Sequence, residues 1–236
     1  MPVGGRLCDG LDVLLEVSDE ARELGVFVSY TVAWGGGGRP LLDPLADAID
    51  EFLRTVNSRH TLETLKEDPI VRAYRNFYWR LGIDPTKTRP ASEALVRRAL
   101  RGSFPRLGVV VDAGNIASAE TLVPIGLYDL QHSSPPFTMT LSKGGEIFRP
   151  IGGGAEVLKV GVPILVDSRG TVMHLYPHRD CVETMIREST REVLIVGAGV
   201  LGVPEDLVAR ATERTAELLA KAGWCWCAKS VMKPKP

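Results

Sequence analysis

Residues 71–101 read V-R-A-Y-R-N-F-Y-W-R-L-G-I-D-P-T-K-T-R-P-A-S-E-A-L-V-R-R-A-L-R. Apolar side chains recur at helical spacing up to Leu81, which predicts an amphipathic first helix. Asp68, followed by a proline, is a typical N-cap, and Gly82 is a typical helix end. A second helix is predicted over residues 91–101, so this stretch forms a helix–loop–helix.

The loop between the two predicted helices, residues 83–90, is basic and stiff. Pro85 and Pro90 each fix their own backbone and push the preceding residue out of the helical region. Lys87 and Arg89 are therefore expected to stand out on a short arch with little flexibility.

Residues 72–106 carry nine Lys or Arg and only two acidic residues, a formal charge of +7. The whole chain has a net charge of −1, because residues 1–71 hold thirteen acidic and six basic residues. Arginines interleaved with aromatic side chains are typical of a phosphate- or nucleic-acid-binding surface. The alternative is that the aromatics are core residues and the arginines pair with the acidic first third. The candidate RNA- or phosphate-binding residues are Arg72, Arg75, Lys87, Arg89, Arg97 and Arg98.

This segment, together with V-V-V-D-A-G-N at residues 109–115, resembles the stand-alone B3/4 family. Members of that family are similar to the B3/4 module of the phenylalanyl-tRNA synthetase β subunit. In the synthetase, the module lies near tRNA and hydrolyses tyrosine that has been attached by mistake. The resemblance implies a B3/4-type fold and a tRNA or aminoacyl-tRNA partner. It also suggests aminoacyl-tRNA deacylation as an activity, which the residues themselves leave undecided.

The resemblance also assigns positions along the chain. The skeleton of the synthetase module is matched, and its positions fall at Asp112, Asn115, Pro124, Asp129, Gly145, Glu146, Gly152 to Gly154, Val166 and Asp167. Two positions differ: Gly126 stands where the synthetase has a histidine, and Val196 stands where it has a glutamate thought to read the tyrosine hydroxyl. Tyrosine-specific editing by the same residues is therefore not implied.

The rest of the chain predicts an α/β (α+β) protein with a mixed sheet and flanking helices. Strands are predicted at 12–17, 26–34, 107–111, 137–141, 146–149, 163–166, 171–176 and 193–196, and helices at 20–24, 44–57, 115–122 and 204–222. A single domain is expected over residues 1–236, with a βαβ and helix portion at 1–67, the B3/4 core at 68–225 and a frayed tail at 226–236. Glycines 35–38 predict a turn rather than a nucleotide loop, because no G-K-[ST] follows.

Composition limits the class of protein. At 236 residues, with 44% hydrophobic and 24% charged residues, the chain can bury a substantial core. No apolar run approaches the length of a membrane span and no signal segment is visible, so a cytoplasmic protein is expected. The four cysteines do not predict a disulfide framework in a chain of this length, although Cys225 and Cys227 are spaced for oxidation or metal binding.

Candidate catalytic residues are few, and no Ser-His-Asp or cysteine nucleophile motif is visible. Ester hydrolysis needs a positioned water and oxyanion donors rather than a side-chain nucleophile. The candidates for this role are Asn115, Thr184 and His178, the last as a general base beside Asp180. The predicted pocket is lined by Asp112, Asp129, Gly152, Gly153, Gly154 and Thr190. No metal or other cofactor is expected, because His174, His178 and Cys181 have helical spacing in a segment with strand character.

Two hypotheses from different classes remain open. In the first, the protein binds tRNA through its basic segment and discharges a mischarged amino acid in trans. In the second, it is a non-catalytic module that binds a protein or a small molecule, such as an amino-acid-like ligand or an anion, and Lys87 and Arg89 hold the anion or pair with internal acids. The sequence leaves the oligomeric state open.

Overall fold

The structure, a computed structural model, describes residues 8–36 and 43–234. The predicted glycine turn therefore lies partly outside the described residues, at positions 37 and 38. None of the helices in the described part is both long and apolar enough to span a membrane.

Along the described residues, a run of four successive α-helices is followed by a run of eight successive strands, with mixed helix and strand before and after. The α-helices are α1 (Asp19–Glu23), α2 (Ala46–Arg59), α3 (Pro69–Arg80), α4 (Ala91–Ala99), α5 (Val109–Thr121) and α6 (Glu205–Lys221), with short 3₁₀ helices at Leu11–Val13 and Leu65–Glu67. The strands are β1 (Leu15–Val17), β2 (Val26–Trp34), β3 (Ile125–Asp129), β4 (Phe137–Leu141), β5 (Ile147–Phe148), β6 (Glu156–Val157), β7 (Pro163–Val166), β8 (Val172–Leu175), β9 (Arg179–Asp180), β10 (Glu192–Val200), β11 (Cys225–Trp226) and β12 (Val231–Lys233).

The strands form two larger sheets and a ribbon. The first sheet has the order β1-β4-β7-β8-β9, with β1 parallel to β4 and the other neighbours antiparallel. The second has the order β11-β2-β10-β3 and is antiparallel, with β12 also paired to β2. Strands β5 and β6 pair with each other. The mixed α/β fold predicted from the sequence is confirmed.

The second sheet lies between two apolar layers. Successive side chains of a strand point to opposite faces. On β10, Leu194 and Val196 therefore join one apolar cluster, while Val193 and Ile195 join the other. Helix α3 packs into the first cluster through its aromatic side chains, whereas α2, α4 and α5 pack into the second. The first helix of the basic segment thus packs mainly into the first layer and the second helix into the second, with Val71 of α3 also contributing to the second cluster.

The predicted strand at residues 107–111 is wrong, because helix α5 begins at Val109. Three consecutive valines favour a strand by intrinsic propensity. Tertiary packing overrides that preference here, since small residues along α5 allow a close approach to β3. A Cβ added at Gly114 would lie 2.8 Å from Leu127 Cδ1. The strand at this point of the fold is β3, which the sequence did not predict.

Both ends of the described chain differ from expectation. Strands β1 and β2 flank α1 as predicted, but they belong to different sheets and so do not form a βαβ unit. The C-terminal residues are not frayed, since β11 and β12 pair with β2. A disulfide joins Cys8 to Cys227, with a Cα–Cα distance of 5.3 Å. Cys225 is exposed and has a free thiol.

Candidate functional site

The basic helix–loop–helix forms as predicted. The Asp68 carboxylate accepts a hydrogen bond from the backbone N–H of Ile70 at 2.8 Å and so caps α3. Asp84 begins the connecting loop and accepts hydrogen bonds from the backbone N–H and hydroxyl of Thr86. Seven of the nine basic side chains between residues 72 and 106 are exposed, and only Arg75 and Arg97 are half-buried.

A buried carboxylate organises the arginines nearest to the protein body. Glu93 is fully buried and accepts two hydrogen bonds from Arg75, at 2.7 and 2.9 Å. This hydrogen bonding raises the pKa of Arg75. Arg89 and Arg97 approach the same carboxylate at 3.9 and 3.8 Å. One acidic residue thus faces three arginines, and this cluster keeps a formal charge of +2.

The other arginines of the segment face solvent. Arg72, Arg80, Arg98 and Arg101 are exposed and form no ion pair with a carboxylate in residues 8–36 or 43–234. We call six of the seven exposed side chains the basic surface, leaving out Arg106 because it pairs with Asp43 and Asp112: Arg72, Arg80, Lys87, Arg89, Arg98 and Arg101. Within this part of the chain, one arginine of the segment, Arg106, bonds an acid of the first third, Asp43. The basic surface is therefore not neutralised by the acidic N-terminal part.

The aromatic residues of α3 divide into two groups. Tyr74, Phe77 and Tyr78 are fully buried, and the Tyr74 hydroxyl donates to the carbonyl of Ala198 at 2.5 Å. Trp79, in contrast, is 56% exposed. The interpretation of the aromatics as core residues thus holds for three of them and fails for Trp79.

At the start of α5, Asp112 has a local structural role. Its carboxylate accepts hydrogen bonds from the backbone N–H of Leu107 at 2.7 Å and from Arg106 at 3.2 Å. Arg106 also bonds Asp43, and this hydrogen bond lowers the pKa of the Asp43 carboxyl. Asn115 lies one turn further along the helix and is half-buried.

Asp129 and Thr190 are brought together at the end of β3. The Thr190 hydroxyl donates to the buried Asp129 carboxylate at 2.7 Å, and the His132 ring lies 3.0 Å from the same carboxylate. The backbone N–H of Gln131 also donates to it, at 2.9 Å. These bonds fix the segment that enters β10 against the end of β3.

His178 does not pair with Asp180, which corrects its predicted role as a general base. Asp180 instead lies 2.8 Å from Nδ1 of His174, its partner across the β8–β9 hairpin. His178 packs on the Tyr78 ring with a centroid distance of 5.7 Å, and its Nδ1 has no hydrogen-bond partner in the described structure. Burial, with smaller effects from His174 and Arg179, lowers the pKa of His178 to about 3. An imidazole with this pKa is a poor proton acceptor near neutral pH.

Thr184 and the glycine triplet, two parts of the predicted site, differ in their exposure to solvent. Thr184 is fully buried, and its hydroxyl lies 3.2 Å from Cys181 Sγ. Gly152, Gly153 and Gly154 form an exposed turn between β5 and β6. This turn is tied to the strand beyond His178, because the N–H of Ile151 donates to the carbonyl of Asp180. No group of three or more His, Cys, Asp or Glu is placed to hold a metal ion in the described residues.

The two positions where this chain differs from the synthetase pattern are neighbours on adjacent strands of the second sheet. Gly126 on β3 is the register partner of Val196 on β10, and both line an internal cavity of about 10 Å³. The His174 and Tyr128 rings line the same cavity. A space of this size holds about one water molecule and excludes an amino acid.

Tyr128 explains why the cavity is so small. Its side chain is fully buried and folds back along β3, so that a Cβ added at Gly126 would overlap the Tyr128 hydroxyl oxygen. Glycine at position 126 therefore makes room for the phenol of Tyr128. A second concavity, of about 720 Å³, is an open groove between α1 and the turn before α6, and it includes none of the predicted site residues.

The sequence reasoning missed three residues: Glu93 as the partner of the arginines, His174 as the partner of Asp180, and Tyr128 as the group that fills the cavity. The spacing of Arg89, Glu93 and Arg97 at i, i+4 and i+8 was a visible signal for the first of these. The other two depend on strand register, which the sequence does not give.

The fold is shared with a protein of translation. A solved N-terminal fragment of the phenylalanyl-tRNA synthetase β-subunit from Pyrococcus horikoshii is similar to this chain with a TM-score of 0.51 and 15% sequence identity. The similarity covers 95% of this chain and 55% of that fragment, so the chain spans about half of the fragment's length. At this identity the likeness is one of fold.

A comparison of the sequence identifies the family of the chain. The pattern of the B3/4 domain matches residues 73–223, most of the chain, and the protein belongs to the B3/4 domain family. The resemblance inferred from the basic segment is thereby confirmed. No curated protein matches the sequence.

Proposed function

We propose that this B3/4 protein binds tRNA or aminoacyl-tRNA through the basic surface on α3, α4 and the loop between them. The observation that carries the proposal is the exposure of this surface, in which Arg72, Arg80, Arg98 and Arg101 have no carboxylate partner in the part of the chain that the structure describes. Arginine presents a planar set of N–H donors that matches phosphate oxygens. A cluster of such side chains with few acids supports contacts to an RNA backbone.

The similarity of fold to the synthetase fragment supports the same proposal, since the name of that protein refers to tRNA. All residues of the basic surface except Arg72 lie in the matched family region, because α4 lies entirely inside residues 73–223 and α3 does so from Ala73 onward.

The geometry favours binding over hydrolysis by the predicted residues. The cavity at Gly126 and Val196 excludes an amino acid, and His178 is too weak a base near neutral pH. The Thr184 hydroxyl is buried against Cys181. Of the three candidate catalytic residues, Asn115 alone remains without a competing contact in the described structure, so trans-editing would rest on it and a bound water.

Binding of uncharged tRNA at two salt concentrations, with deacylation of a panel of mischarged tRNAs alongside, tests the proposal. The variant Arg72→Ala/Arg98→Ala is expected to lower the log–log salt slope by about 2, roughly one unit for each phosphate that is no longer neutralised. Arg22→Ala/Arg210→Ala is the matched control, because it removes two arginines outside the basic surface.

Three outcomes are informative. A salt slope equal in the two double variants would place the RNA elsewhere on the molecule, and no salt-dependent binding by the unmodified protein would refute the proposal. Turnover of one aminoacyl-tRNA that is lost in Asn115→Ala would add editing to the function and identify the amino acid.

A second candidate function is binding of a small anion at the Glu93 cluster. Three arginines surround this single carboxylate, and the neighbouring Tyr78 hydroxyl and Ser92 Oγ are buried without hydrogen-bond partners in the described structure. Lys87 and Arg89 were predicted to hold an anion or to pair with internal acids. Lys87 lies 4.0 Å from Asp84, and Arg89 lies 3.9 Å from Glu93. Saturable binding of inorganic phosphate that is lost in Arg89→Ala, without RNA binding, would favour this candidate.

A further inference from the structure

We propose that Trp79, with the polar side chains beside it on α3, is a stacking site for unpaired RNA bases. The inference rests on the proposed RNA binding and names the part of the RNA that this helix recognises. We call the residues concerned the outer face of α3: Arg72, Asn76, Trp79 and Arg80.

These four residues share one side of the helix. They follow one another at steps of four, three and one residues, which brings them close in angle on an α-helix. All four are exposed, whereas Tyr74, Phe77 and Tyr78 on the opposite side are fully buried. The chain thus buries every aromatic residue of α3 except the one that lies among polar side chains.

The exposure of Trp79 leaves a large ring available. More than half of its surface, 56%, is in contact with solvent. An indole buried in the core would contribute more to stability than one left exposed. The exposed part of the ring therefore contributes little to the fold, and it provides a flat π surface on which a base can stack.

The surroundings of Trp79 favour a polyanion. Helix α3 contains no acidic residue, and Arg80, the residue after Trp79, is exposed with its guanidinium 5.3 Å from the centre of the Phe77 ring. The carboxylates at the two ends of the helix, Asp68 and Asp84, are engaged with Ile70 and Thr86. A nucleotide stacked on Trp79 would therefore meet positive charge at its phosphate.

Unpaired RNA fits this arrangement better than duplex RNA or a protein. In an RNA duplex the base faces are stacked on each other and only the backbone and a shallow groove are accessible. Protein hot spots also use Trp and Arg, but they are surrounded by contacts that exclude water. The outer face of α3 carries Arg72 and Arg80 and the helix has no acidic residue, a charge pattern that complements a polyanion.

The test compares binding of a short oligoadenylate with binding of a blunt RNA duplex of the same length, each at two salt concentrations. Trp79→Ala is expected to weaken oligoadenylate binding by roughly fivefold to a hundredfold, the effect of removing one stacked base. Its salt slope and its duplex affinity are expected to stay unchanged, because no charge is removed. Trp79→Phe is expected to retain most of the affinity.

Leu107→Ala is the matched control. Leu107 directly follows the basic segment and is 68% exposed, so its truncation takes away apolar surface without a π face. Equal effects of Trp79→Ala and Leu107→Ala on oligoadenylate would overturn the stacking site while leaving RNA binding intact. No RNA binding by the unmodified protein would overturn the proposed function, and the stacking site with it. Loss of self-association in Trp79→Ala, with unchanged RNA binding, would assign the residue to a protein contact and likewise overturn the site.

Discussion

Lowering the pH is expected to destabilise this protein through His178. Burial lowers the pKa of His178 to about 3 in the folded state, whereas an unfolded histidine titrates near 6.5. Between these values the unfolded chain binds a proton that the folded chain does not. The stabilising contribution of the neutral imidazole is therefore complete above about pH 6.5 and is lost as the pH falls towards 3.

The size of the effect follows from the pKa difference. Well below pH 6.5, each pH unit lowers the free energy of unfolding by about 1.4 kcal/mol. Between about pH 7.5 and 5 the loss is therefore about 2 kcal/mol, a large part of the stability of an ordinary domain. Carboxyl groups contribute little in this range, because unfolded Asp and Glu titrate near 4.

The assay is urea unfolding across this pH range, followed by tryptophan fluorescence. His178→Phe keeps an aromatic ring against Tyr78 and removes both the titrating group and the buried Nδ1 that has no partner in the described structure. It is expected to abolish about 2 kcal/mol of the pH dependence. His60→Gln, at the C-terminal end of α2, serves as the control. The same pH dependence in His178→Phe and in the unmodified protein would refute this reasoning.

Three further predictions concern the packing of the fold. Tyr128→Ala is expected to lower the free energy of unfolding by about 3–5 kcal/mol in urea, and a loss below about 1 kcal/mol would show that the ring is dispensable. Gly126→His is expected to be destabilising because its Cβ overlaps the Tyr128 hydroxyl. Combining it with Tyr128→Ala should cost less than the sum of the two, and strict additivity in a double-mutant cycle would contradict the overlap. Reduction of the Cys8–Cys227 bond should cost about 2–5 kcal/mol, whereas Cys225→Ser should cost nearly nothing; equal losses would show that the bond does not stabilise the protein.

The elements that could be predicted from the sequence are those with a strong local signal. Helix α3 was predicted within one residue of its ends from its capping residue Asp68 and its apolar spacing. Helix α6 was predicted with the same accuracy from its amphipathic pattern. Helix α5 was predicted in part as a strand, because three valines at its start favour extended structure in isolation. In the folded chain α5 lies so close to β3 that a Cβ added at Gly114 would come within 2.8 Å of Leu127 Cδ1, and this packing is a property of the tertiary structure.

In the candidate site, too, the features with a local sequence signal were predicted and those set by strand register were not. The exposure of the basic loop residues follows from the two prolines that frame them, and it was predicted. The pairing of His174 with Asp180 depends on the register of the β8–β9 hairpin, and adjacency in sequence pointed to His178 instead. The filling of the cavity by Tyr128 depends on β3, which the sequence did not indicate.

The bond between Cys8 and Cys227 makes the covalent path of the chain a closed ring, because it joins two cysteines with a sequence separation of 219. A ring opened at one peptide bond is still one molecule. Cleavage at the exposed Gly152–Gly154 turn would therefore leave a product that keeps its full mass in a denaturing gel without reductant and separates into two fragments with reductant. The oxidised protein can thus be cut once without losing either half, whereas the cleaved protein, once reduced, depends on non-covalent packing alone to hold its two fragments together.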